Sequence, residues 1–473
     1  MLDFSNLEQY RENNRIEAKK ALGGLPRSIW ETYSAFANTL GGILLLGVVE
    51  RKDKSLHAID LPDPEKLVRE FWKLVNDREQ ASANILTADQ VQIRKVDGKR
   101  IVVITVPRAQ RFDRPVYIGG NPLTGTYRRS GEGDYRCTRE EVLAMLRDAA
   151  VQPQDGRPLE RMLPDVLDGD TVRRFRIRMK NERPGHAWEG LGGEEFLYKA
   201  GAIARGQDGA LHPTAAGLLL FGHEYEIVRE FPHYFLDYRE LPDDAGHWTD
   251  RIVSSSGDWS GNLYDFYCRV SQRLAEDAPP AAPVRRALCE ALVNCLVNAD
   301  YCGRQGVVVI RQRDFVSISN PGSFRIEPET VRSGGISDPR NAALFKLFLL
   351  VNVGEHTGSG VPRLYAAWRE QGWPPPVFTE QFRPDRITVR LPLSGNGDVP
   401  PAAAAEKKPA SSRVKKQLII DFLTEHRSAK ASEIAAYLGL KPSRAREYLK
   451  ELTDENILTA VGANKNRTYE LKA

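Results

Sequence analysis

The chain has 473 residues, with 67 Lys or Arg against 63 Asp or Glu and a formal net charge of +4, and this length is enough for about three domains. Its five cysteines are odd in number and include no Cys-x-x-Cys pair, which argues against a disulfide framework and a zinc ribbon. No apolar run reaches about 18 residues, and the first residues lack the apolar core of a signal peptide. We therefore expect a soluble, cytoplasmic protein with no membrane partner.

The first predicted elements are a helix and the strand that follows it. Apolar residues repeat with a helical period over residues 28–40, and Gly41-Gly42 is expected to end this helix. The aliphatic run at residues 43–49 predicts one buried strand that needs packing on both faces. This strand places Glu50 at its end.

Three further features complete the N-terminal part. Trp30, on the first helix, is predicted to be a buried anchor rather than a base-stacking platform. A hairpin is predicted around Asp97-Gly98, between two runs of β-branched residues. An amphipathic helix ends near residue 150, where we expect a domain boundary.

Three carboxylates are candidates for a site near the N-terminus. Glu17 and Lys19 share one face of an extended segment, because residues two apart point the same way. If the strand that ends on Glu50 runs beside this segment, Glu12, Glu17 and Glu50 converge next to the lysine. That arrangement suits Mg²⁺ or Mn²⁺ and a phosphodiester. The alternative is that these glutamates lie scattered on a solvated surface.

A second candidate site lies on a helix predicted to begin at residue 284. Glu290, Asn294 and Asn298 repeat every four residues and therefore share one face beside an apolar stripe. Their surroundings carry little charge, which indicates a buried helix whose polar groups need partners. The alternative is a polar face that is open to solvent.

The segments around this helix add a strand pair and a glycine loop. Two strands with a turn near Arg313-Asp314 are predicted to follow the helix. Before the helix, residues 211–222 are predicted to form a buried helix and strand. Gly358 and Gly360 precede a later helix, where free backbone N–H groups and the helix dipole can hold an anion. An ordinary loop is the alternative there.

The last segment, residues 411–473, contains twelve Lys or Arg and eight Asp or Glu, so it holds the whole excess of positive charge. A helix, a short second helix, a turn at Lys441-Pro442, a third helix capped by Ser443 and a hairpin form the plan of a winged helix. On this plan the third helix enters the major groove of duplex DNA and the wing contacts phosphate, whereas a protein contact is the alternative. The residues expected to bind DNA are Ser443, Arg444, Arg446, Lys450, Lys465 and Arg467.

The N-terminal motifs resemble the Schlafen AlbA-like domain over residues 6–149. The similar stretches are ENNRIEAKKAL, ETYSAFANTLGGILLLGVVE and GTYRRSGEGDYRCTREEV. The resemblance implies contact with nucleic acid and, as in some animal members, a metal-dependent endonuclease whose acids correspond to Glu12, Glu17 and Glu50. Ala18 replaces the aromatic residue of the family pattern, and Glu50 stands where an aspartate is commoner.

Motifs in the second half resemble the divergent GHKL-type ATP-binding domain that accompanies the Schlafen AlbA-like domain in bacteria. These motifs are Glu290 with Asn294, NPG at 320–322, PRN at 339–341 and EHTGSG at 355–360. The His-Arg-Asp of the family is replaced here by Asn298-Ala299-Asp300.

This second resemblance implies roles for individual residues. Asn294 would hold Mg²⁺ against the phosphates of ATP, and Glu290 would orient water if ATP is hydrolysed. Gly358 and Gly360 would approach the phosphates. Asn320 stands where the family has an aspartate that reads the adenine amino group, and an asparagine cannot accept in the same way.

The predicted fold is therefore α+β and multidomain, with a Schlafen AlbA-like α/β domain, a GHKL-like α/β sandwich and a C-terminal winged helix-turn-helix. The expected boundaries are 1–150 for the first domain, 151–280 for a connecting α/β region, 281–395 for the ATP-binding domain, 396–412 for a flexible linker and 413–473 for the winged helix.

The function that these features favour is a nucleic-acid-binding transcriptional regulator that is modulated by nucleotide. It would contact duplex DNA through the winged helix and RNA or DNA through the Schlafen-type domain. One alternative is a metal-dependent endonuclease in phage defence, and another is a structural assembly protein.

A homodimer or a larger even assembly is expected. Animal Schlafen domains contain two related lobes, whereas this chain matches the lobe once, and strand 43–49 would need a partner surface on both faces. The three glutamates of each subunit would then face a shared basic groove. The basic residues expected in this groove are Lys19, Arg128 and Arg129.

Overall fold

The computed structural model of the protein describes residues 4–241, 248–276, 282–354, 358–394, 419, 423, 428–437, 442–454, 457–461 and 467–472. The chain divides into two compact units, Met1–Gly397 and Asp398–Ala473. Each unit has its own hydrophobic core. The predicted linker 396–412 lies outside the described residues.

The N-terminal part of the first unit is built around a four-stranded sheet. Its helices are α1 Ile29–Ala37, α2 Pro64–Val75, α3 Pro122–Gly125 and α4 Arg139–Ala149. Its strands are β1 Ile16–Lys19, β2 Gly42–Leu46, β3 Val48–Glu50, β4 Leu56–Ala58, β5 Val91–Val96, β6 Lys99–Val106, β7 Tyr127–Ser130 and β8 Gly133–Arg136. The sheet order is β1-β2-β6-β5, with β1 parallel to β2 and the other neighbours antiparallel.

Strand β2 is covered on both faces by other parts of the same chain. Leu44 and Leu46 pack into the core that contains Trp30, whereas Leu45 packs on the opposite face with Val48. Successive side chains of a strand point to opposite faces, so the aliphatic run fills two cores at once. The expectation that this strand needs a second subunit to cover one face is therefore wrong.

The predicted continuous strand at residues 43–49 is interrupted at Gly47. This glycine has φ +85°, in the left-handed region, and a Cβ there would lie 2.8 Å from the Leu61 side chain. Its N–H donates to the carbonyl of Lys19 at 2.9 Å. The bend separates β2 from β3, which pairs with β4 in a different sheet, so the prediction of a single strand is corrected.

The predicted hairpin, the buried Trp30 and the glycine that ends α1 are confirmed. β5 and β6 form a hairpin whose turn is Asp97-Gly98, and both turn residues have positive φ. Trp30 is 4% exposed and stacks on Phe71 with ring centroids 5.5 Å apart. Gly41, with φ +71°, donates its N–H to the Phe36 carbonyl and thereby closes the end of α1.

The remainder of the first unit contains a six-stranded mixed sheet. Its helices are α5 Gly169–Glu182, α6 Gly193–Ala200, α7 Ala215–Phe221, α8 Glu224–Glu230, α9 Leu263–Glu276, α10 Ala282–Asn298, α11 Pro328–Ser333, α12 Ala342–Leu350 and α13 Gly360–Glu370. Its strands are β9 Ile203–Arg205, β10 Leu211–Pro213, β11 Leu236–Leu241, β12 Asp250–Val253, β13 Val307–Gln312, β14 Phe315–Pro321, β15 Val377–Gln381 and β16 Arg386–Pro392. The sheet order is β12-β11-β13-β14-β16-β15.

One hydrophobic core extends through this region, from Leu159 to Leu391. Strand β11 pairs in parallel with β13, so the segments before and after residue 280 share the sheet as well as the core. The predicted turn at Arg313-Asp314 joins β13 to β14 and is confirmed. The buried strand and helix expected at 211–222 correspond to β10 and α7.

The second unit contains two described helices and a small sheet. Its elements are β17 Ser428–Lys430, α14 Ala431–Tyr437, α15 Pro442–Asp454, β18 Leu458–Val461 and β19 Thr468–Leu471, with sheet order β17-β19-β18. Ile419, Leu423, Ile434 and Leu449 are buried in its core. The mixed α+β class is thus confirmed, whereas the winged-helix and GHKL folds stay predictions.

None of the helices in the described ranges is both long enough and apolar enough to cross a membrane.

Candidate functional site

A cavity of about 170 Å³ lies between helix α10 and the start of helix α13. The three polar residues of the predicted helix face, Glu290, Asn294 and Asn298, all line it, and so do Gly358 and Gly360. The structure therefore brings together residues that are separated by about 60 positions in the chain. Its remaining walls include apolar side chains of the sheet, namely Ile318, Ile387 and Val389.

The glycine loop approaches the polar face of α10 closely. A Cβ at Gly360 would lie 2.6 Å from Oε1 of Glu290 and 3.2 Å from Nδ2 of Asn294, so a side chain there would displace both. Gly358 has φ +64°, and a Cβ on it would lie 2.6 Å from the carbonyl oxygen of Ile336. Gly358 needs glycine because of its positive φ and the nearby backbone of Ile336, whereas a side chain at Gly360 would have to move the ends of Glu290 and Asn294.

Glu290 has a cationic neighbour from the helix that follows the loop. Arg363 donates to its Oε1 at 3.1 Å, and the Glu290 side chain is 13% exposed. The carboxylate therefore lies mostly buried beside a cation in the lining of the cavity.

Asn298 and Asn320 also line the cavity, and both form hydrogen bonds with backbone groups. Asn298 donates to the carbonyl of Asn294 at 2.9 Å, and its own Oδ1 accepts from the N–H of Arg340 at 3.4 Å. Asn320 is 4% exposed and donates to the carbonyl of Pro321 at 3.0 Å. Its amide thus acts as a donor here, in a position where the resemblance expects an accepting aspartate.

The sequence reasoning missed the residues that hold the wall of this cavity. Arg340 donates to the carbonyl of Asn298, to that of Ser323 at 3.0 Å, and to both carboxylate oxygens of Asp148 at 2.8 Å. Arg325 lines the cavity and contacts Asp338 at 3.2 Å. The PRN motif was the available signal, since it contains Arg340, but a tripeptide does not reveal its partners.

At the N-terminus, Glu17 lies on β1, which pairs with β2, whereas Glu50 ends β3, after the bend at Gly47. Glu12 accepts from the N–H of Ala18 at 3.0 Å. Burial raises the pKa of Glu12, and the negative charges of Glu17 and Glu50 raise it further. Glu17 and Glu50 are thus close enough to act on the charge of Glu12.

These glutamates do not form a metal site in the part of the chain that the structure describes, which contains no group of three His, Cys, Asp or Glu arranged to hold a metal ion. Glu17 is instead compensated by Lys19 at 2.9 Å and Arg129 at 2.8 Å. Two cations in contact with one carboxylate leave little negative charge for Mg²⁺ or Mn²⁺. The observed arrangement does not fit the metal.

Arg128 and Arg129 are buried, and their expected place in an open basic groove is wrong. Arg128 is 2% exposed and makes two hydrogen bonds to Asp385 at 2.6 and 2.9 Å. Arg129 is 3% exposed and bridges Glu17 and Asp134 at 2.8 and 3.0 Å. A buried charge needs such partners, so both arginines serve internal ion pairs.

In the second unit, Arg446, Lys450 and Arg467 are exposed. The first two lie one helical turn apart on α15 and therefore on the same face. Helix α15 begins at Pro442, one residue before the predicted cap Ser443. The side chains of Ser443 and Arg444, and all of Lys465, lie outside the described residues.

Four segments match known protein families. Residues 12–138 match the family Schlafen, AlbA_2, and residues 143–237 match a domain of unknown function. Residues 305–391 match the family described as "Putative ATP-dependent DNA helicase recG C-terminal", and residues 415–467 match that described as FaeA-like protein. The chain thus contains a Schlafen AlbA_2 domain and a domain related to the RecG C-terminal family.

The solved structures that are similar to the chain include the following two. A protein from Corynebacterium diphtheriae is 17% identical over 97% of this chain and 95% of that chain, with a TM-score of 0.40. The N-terminal domain of an ATP-dependent DNA helicase RecG-related protein from Nitrosomonas europaea is 32% identical over 29% of this chain and 95% of that chain, with a TM-score of 0.23. No curated protein matches the chain.

Proposed function

We propose that the protein binds nucleic acid and that a nucleotide held beside helix α10 regulates this binding. The main support is the cavity in which Glu290, Asn294 and Asn298 meet Gly358 and Gly360. The sheet residues that line it, among them Ile318 of β14, Phe378 of β15 and Val389 of β16, belong to the segment that matches the RecG C-terminal family. The Schlafen AlbA_2 match at residues 12–138 supports contact with RNA or DNA.

The donor groups at the cavity fit a magnesium nucleotide. Glu290 and Asn294 offer a carboxylate and an amide oxygen, which are ligand types that Mg²⁺ accepts, and the backbone at Gly360 approaches both. In this proposal Asn294 holds the ion and Glu290 orients water if the nucleotide is hydrolysed. Bound Mg²⁺ would neutralise negative charge on the phosphates. Isothermal calorimetry with ATP, with and without Mg²⁺, tests whether the site binds.

We do not extend the proposal to an endonuclease. Glu17 lies in ion pairs with Lys19 and Arg129, and the three glutamates lack the geometry of a metal site.

The exposed cations of α15 are proposed to contact duplex DNA, with Arg467 contacting phosphate. The double replacement Arg446→Ala and Lys450→Ala should weaken duplex binding and make the dependence of log Kd on log salt shallower by roughly 1 for each lost phosphate contact. If one of these side chains also contacts a base, its loss should reduce the preference for the correct base over a wrong one by about 1–3 kcal/mol. Fluorescence anisotropy with a labelled duplex, measured across a salt series, provides the values.

A matched control removes two exposed cations from another helix. Arg173 and Lys180 lie on α5 with side chains 71% and 65% exposed, and replacing both with alanine should leave the salt slope unchanged. Equal slopes for the wild type and the α15 variant would refute DNA contact through this helix.

We also infer a homodimer, because paired winged helices would match a two-fold-symmetric DNA site and increase avidity. Multi-angle light scattering on the full chain at micromolar concentration should give twice the mass of one chain. A monomer that binds the duplex with full affinity would rule this arrangement out.

A further inference from the structure

Four charged residues meet at the place where the N-terminal part of the first unit packs against the cavity wall. We call this cluster the junction, and it consists of Arg111, Asp148, Asp338 and Arg340. Arg111 lies within the Schlafen AlbA_2 match, Asp148 lies at the end of α4, and the other two flank Pro339 beside the cavity.

Arg340 connects α4 directly to two points of the cavity wall. The Arg340 guanidinium donates to both carboxylate oxygens of Asp148 and to the carbonyls of Asn298 and Ser323. Asn298 and Ser323 both line the cavity. The Arg340 and Asp148 side chains are 11% and 13% exposed. A movement of this wall therefore displaces a buried ion pair that ends on α4.

Arg111 makes the second connection. Its Nη1 donates to the carbonyls of Asp148 at 2.7 Å and Ala150 at 3.0 Å, at the end of α4. The same guanidinium pairs with Asp338, which lines the cavity. The Schlafen AlbA_2 domain thus holds both α4 and the cavity wall through one side chain.

The charged states of Arg340 and Asp148 depend on each other. Burial lowers the pKa of Arg340, but the charge of Asp148 and its hydrogen bonds raise it above the usual value overall. Burial likewise raises the pKa of Asp148, and Arg340 more than reverses this. Neither group can leave the other without stranding a buried charge, so the pair moves as a unit.

An occupant of the cavity would lie directly against the wall that the junction holds. The cavity measures about 170 Å³ and is partly open to solvent. A nucleotide bound in it would contact lining residues and restrict their motion. Asn298, Ser323 and Asp338 are lining residues, and the junction holds all three.

We propose that Arg340 and Arg111 are positioning residues that transmit nucleotide occupancy of the cavity to helix α4 and the Schlafen AlbA_2 domain. This inference rests on the proposed function, because it takes the nucleotide as the occupant. Coupling of this kind is reciprocal, so nucleic acid bound to the N-terminal part would in turn change the affinity for the nucleotide.

Hydrogen exchange on the full chain tests the inference, with the variants Asp148→Asn and Glu140→Gln. Glu140 also lies on α4 and pairs across the same boundary with Arg304, but both side chains are at least 60% exposed, and neither of them lines the cavity. In the protein without nucleotide, Asp148→Asn should speed exchange at residues 323–325 and 339–341 by at least about tenfold. Glu140→Gln should leave these segments unchanged.

The second part of the experiment repeats the exchange measurements with Mg-ATP added. In the wild type and in Glu140→Gln, Mg-ATP should slow exchange at the cavity wall and also change exchange in α4, whereas in Asp148→Asn only the wall should respond.

If Mg-ATP changes exchange nowhere, the nucleotide proposal fails. If the wall responds and α4 does not in the wild type, the transmission is refuted while nucleotide binding stands. If Asp148→Asn leaves residues 323–325 and 339–341 unchanged without nucleotide, the junction does not position the wall.

A double variant, Asp148→Leu with Arg340→Met, separates positioning from folding. It removes both charges together, so it should recover the thermal midpoint that Asp148→Asn loses. The response of α4 to Mg-ATP should stay absent in it. A double variant in which α4 still responds would overturn the proposal.

Discussion

Replacing Arg129 with methionine is expected to lower the free energy of unfolding of the first unit by about 3–5 kcal/mol, which is the usual cost of removing one partner from a buried ion pair. Its guanidinium has no exposed surface and bridges Glu17 and Asp134. Without it, Asp134 keeps only the hydroxyl of Thr32 at 2.6 Å, so a buried carboxylate is left nearly uncompensated. Urea denaturation, followed by circular dichroism, measures the loss.

The matched control is Arg173→Met. Arg173 contacts Asp170 at the same 2.8 Å distance at which Arg129 contacts Glu17, but its side chain is 71% exposed, so the change should cost less than about 1 kcal/mol. Arg129→Lys should recover only part of the stability, because one ammonium cannot bridge two carboxylates in the way a guanidinium does. A stable Arg129→Met variant that loses affinity for nucleic acid would instead identify Arg129 as a direct contact.

Replacing Asn294 with alanine is expected to weaken Mg-ATP binding by roughly 10–150-fold, which corresponds to a lost polar contact to a charged ligand worth about 1.5–3 kcal/mol. Asn294 lies between Glu290 and Asn298 on the cavity face of α10, next to the Gly360 backbone. Glu290→Ala should retain binding and remove any ATP turnover, because its proposed role is to orient water. Calorimetry and a phosphate-release assay measure these two effects separately.

Asn181→Ala serves as the control for this experiment, since Asn181 is exposed on α5 and does not line the cavity. Its affinity for Mg-ATP should equal that of the wild type. If the wild type gives no heat with any nucleoside triphosphate, the cavity does not bind a nucleotide. If Asn294→Ala binds as tightly as Asn181→Ala, the nucleotide lies elsewhere.

The parts of the site that depend on local chain geometry could be predicted from sequence. Glu290, Asn294 and Asn298 share a face because a helix returns every 3.6 residues, and the structure confirms the helix and its polar face. The Asp97-Gly98 turn was likewise predictable, since positive φ at both positions selects those residue types. The resemblance to the Schlafen AlbA-like domain is confirmed by the family match.

The predictions that failed concern contacts between distant segments. Whether an arginine is exposed depends on what packs against it, and the partner of Arg128 is Asp385, which lies 257 residues further along the chain. The two faces of strand β2 are covered by residues from several separate segments, so the prediction that a second subunit must cover one face is wrong, while the homodimer itself stays a prediction. No pattern in a window of ten or twenty residues contains such information.

The sequence by itself therefore determined the helices with their polar and apolar faces, the turns that need glycine, and the family of the N-terminal domain, because each depends on residues close together or on a recognisable motif. Only the tertiary structure decided which charges are buried. A buried charge is stable only beside a group that compensates it, and the fold determines which groups lie close enough. The tertiary structure also decided that Arg340 of the PRN motif joins the cavity wall to Asp148, 192 residues earlier in the chain.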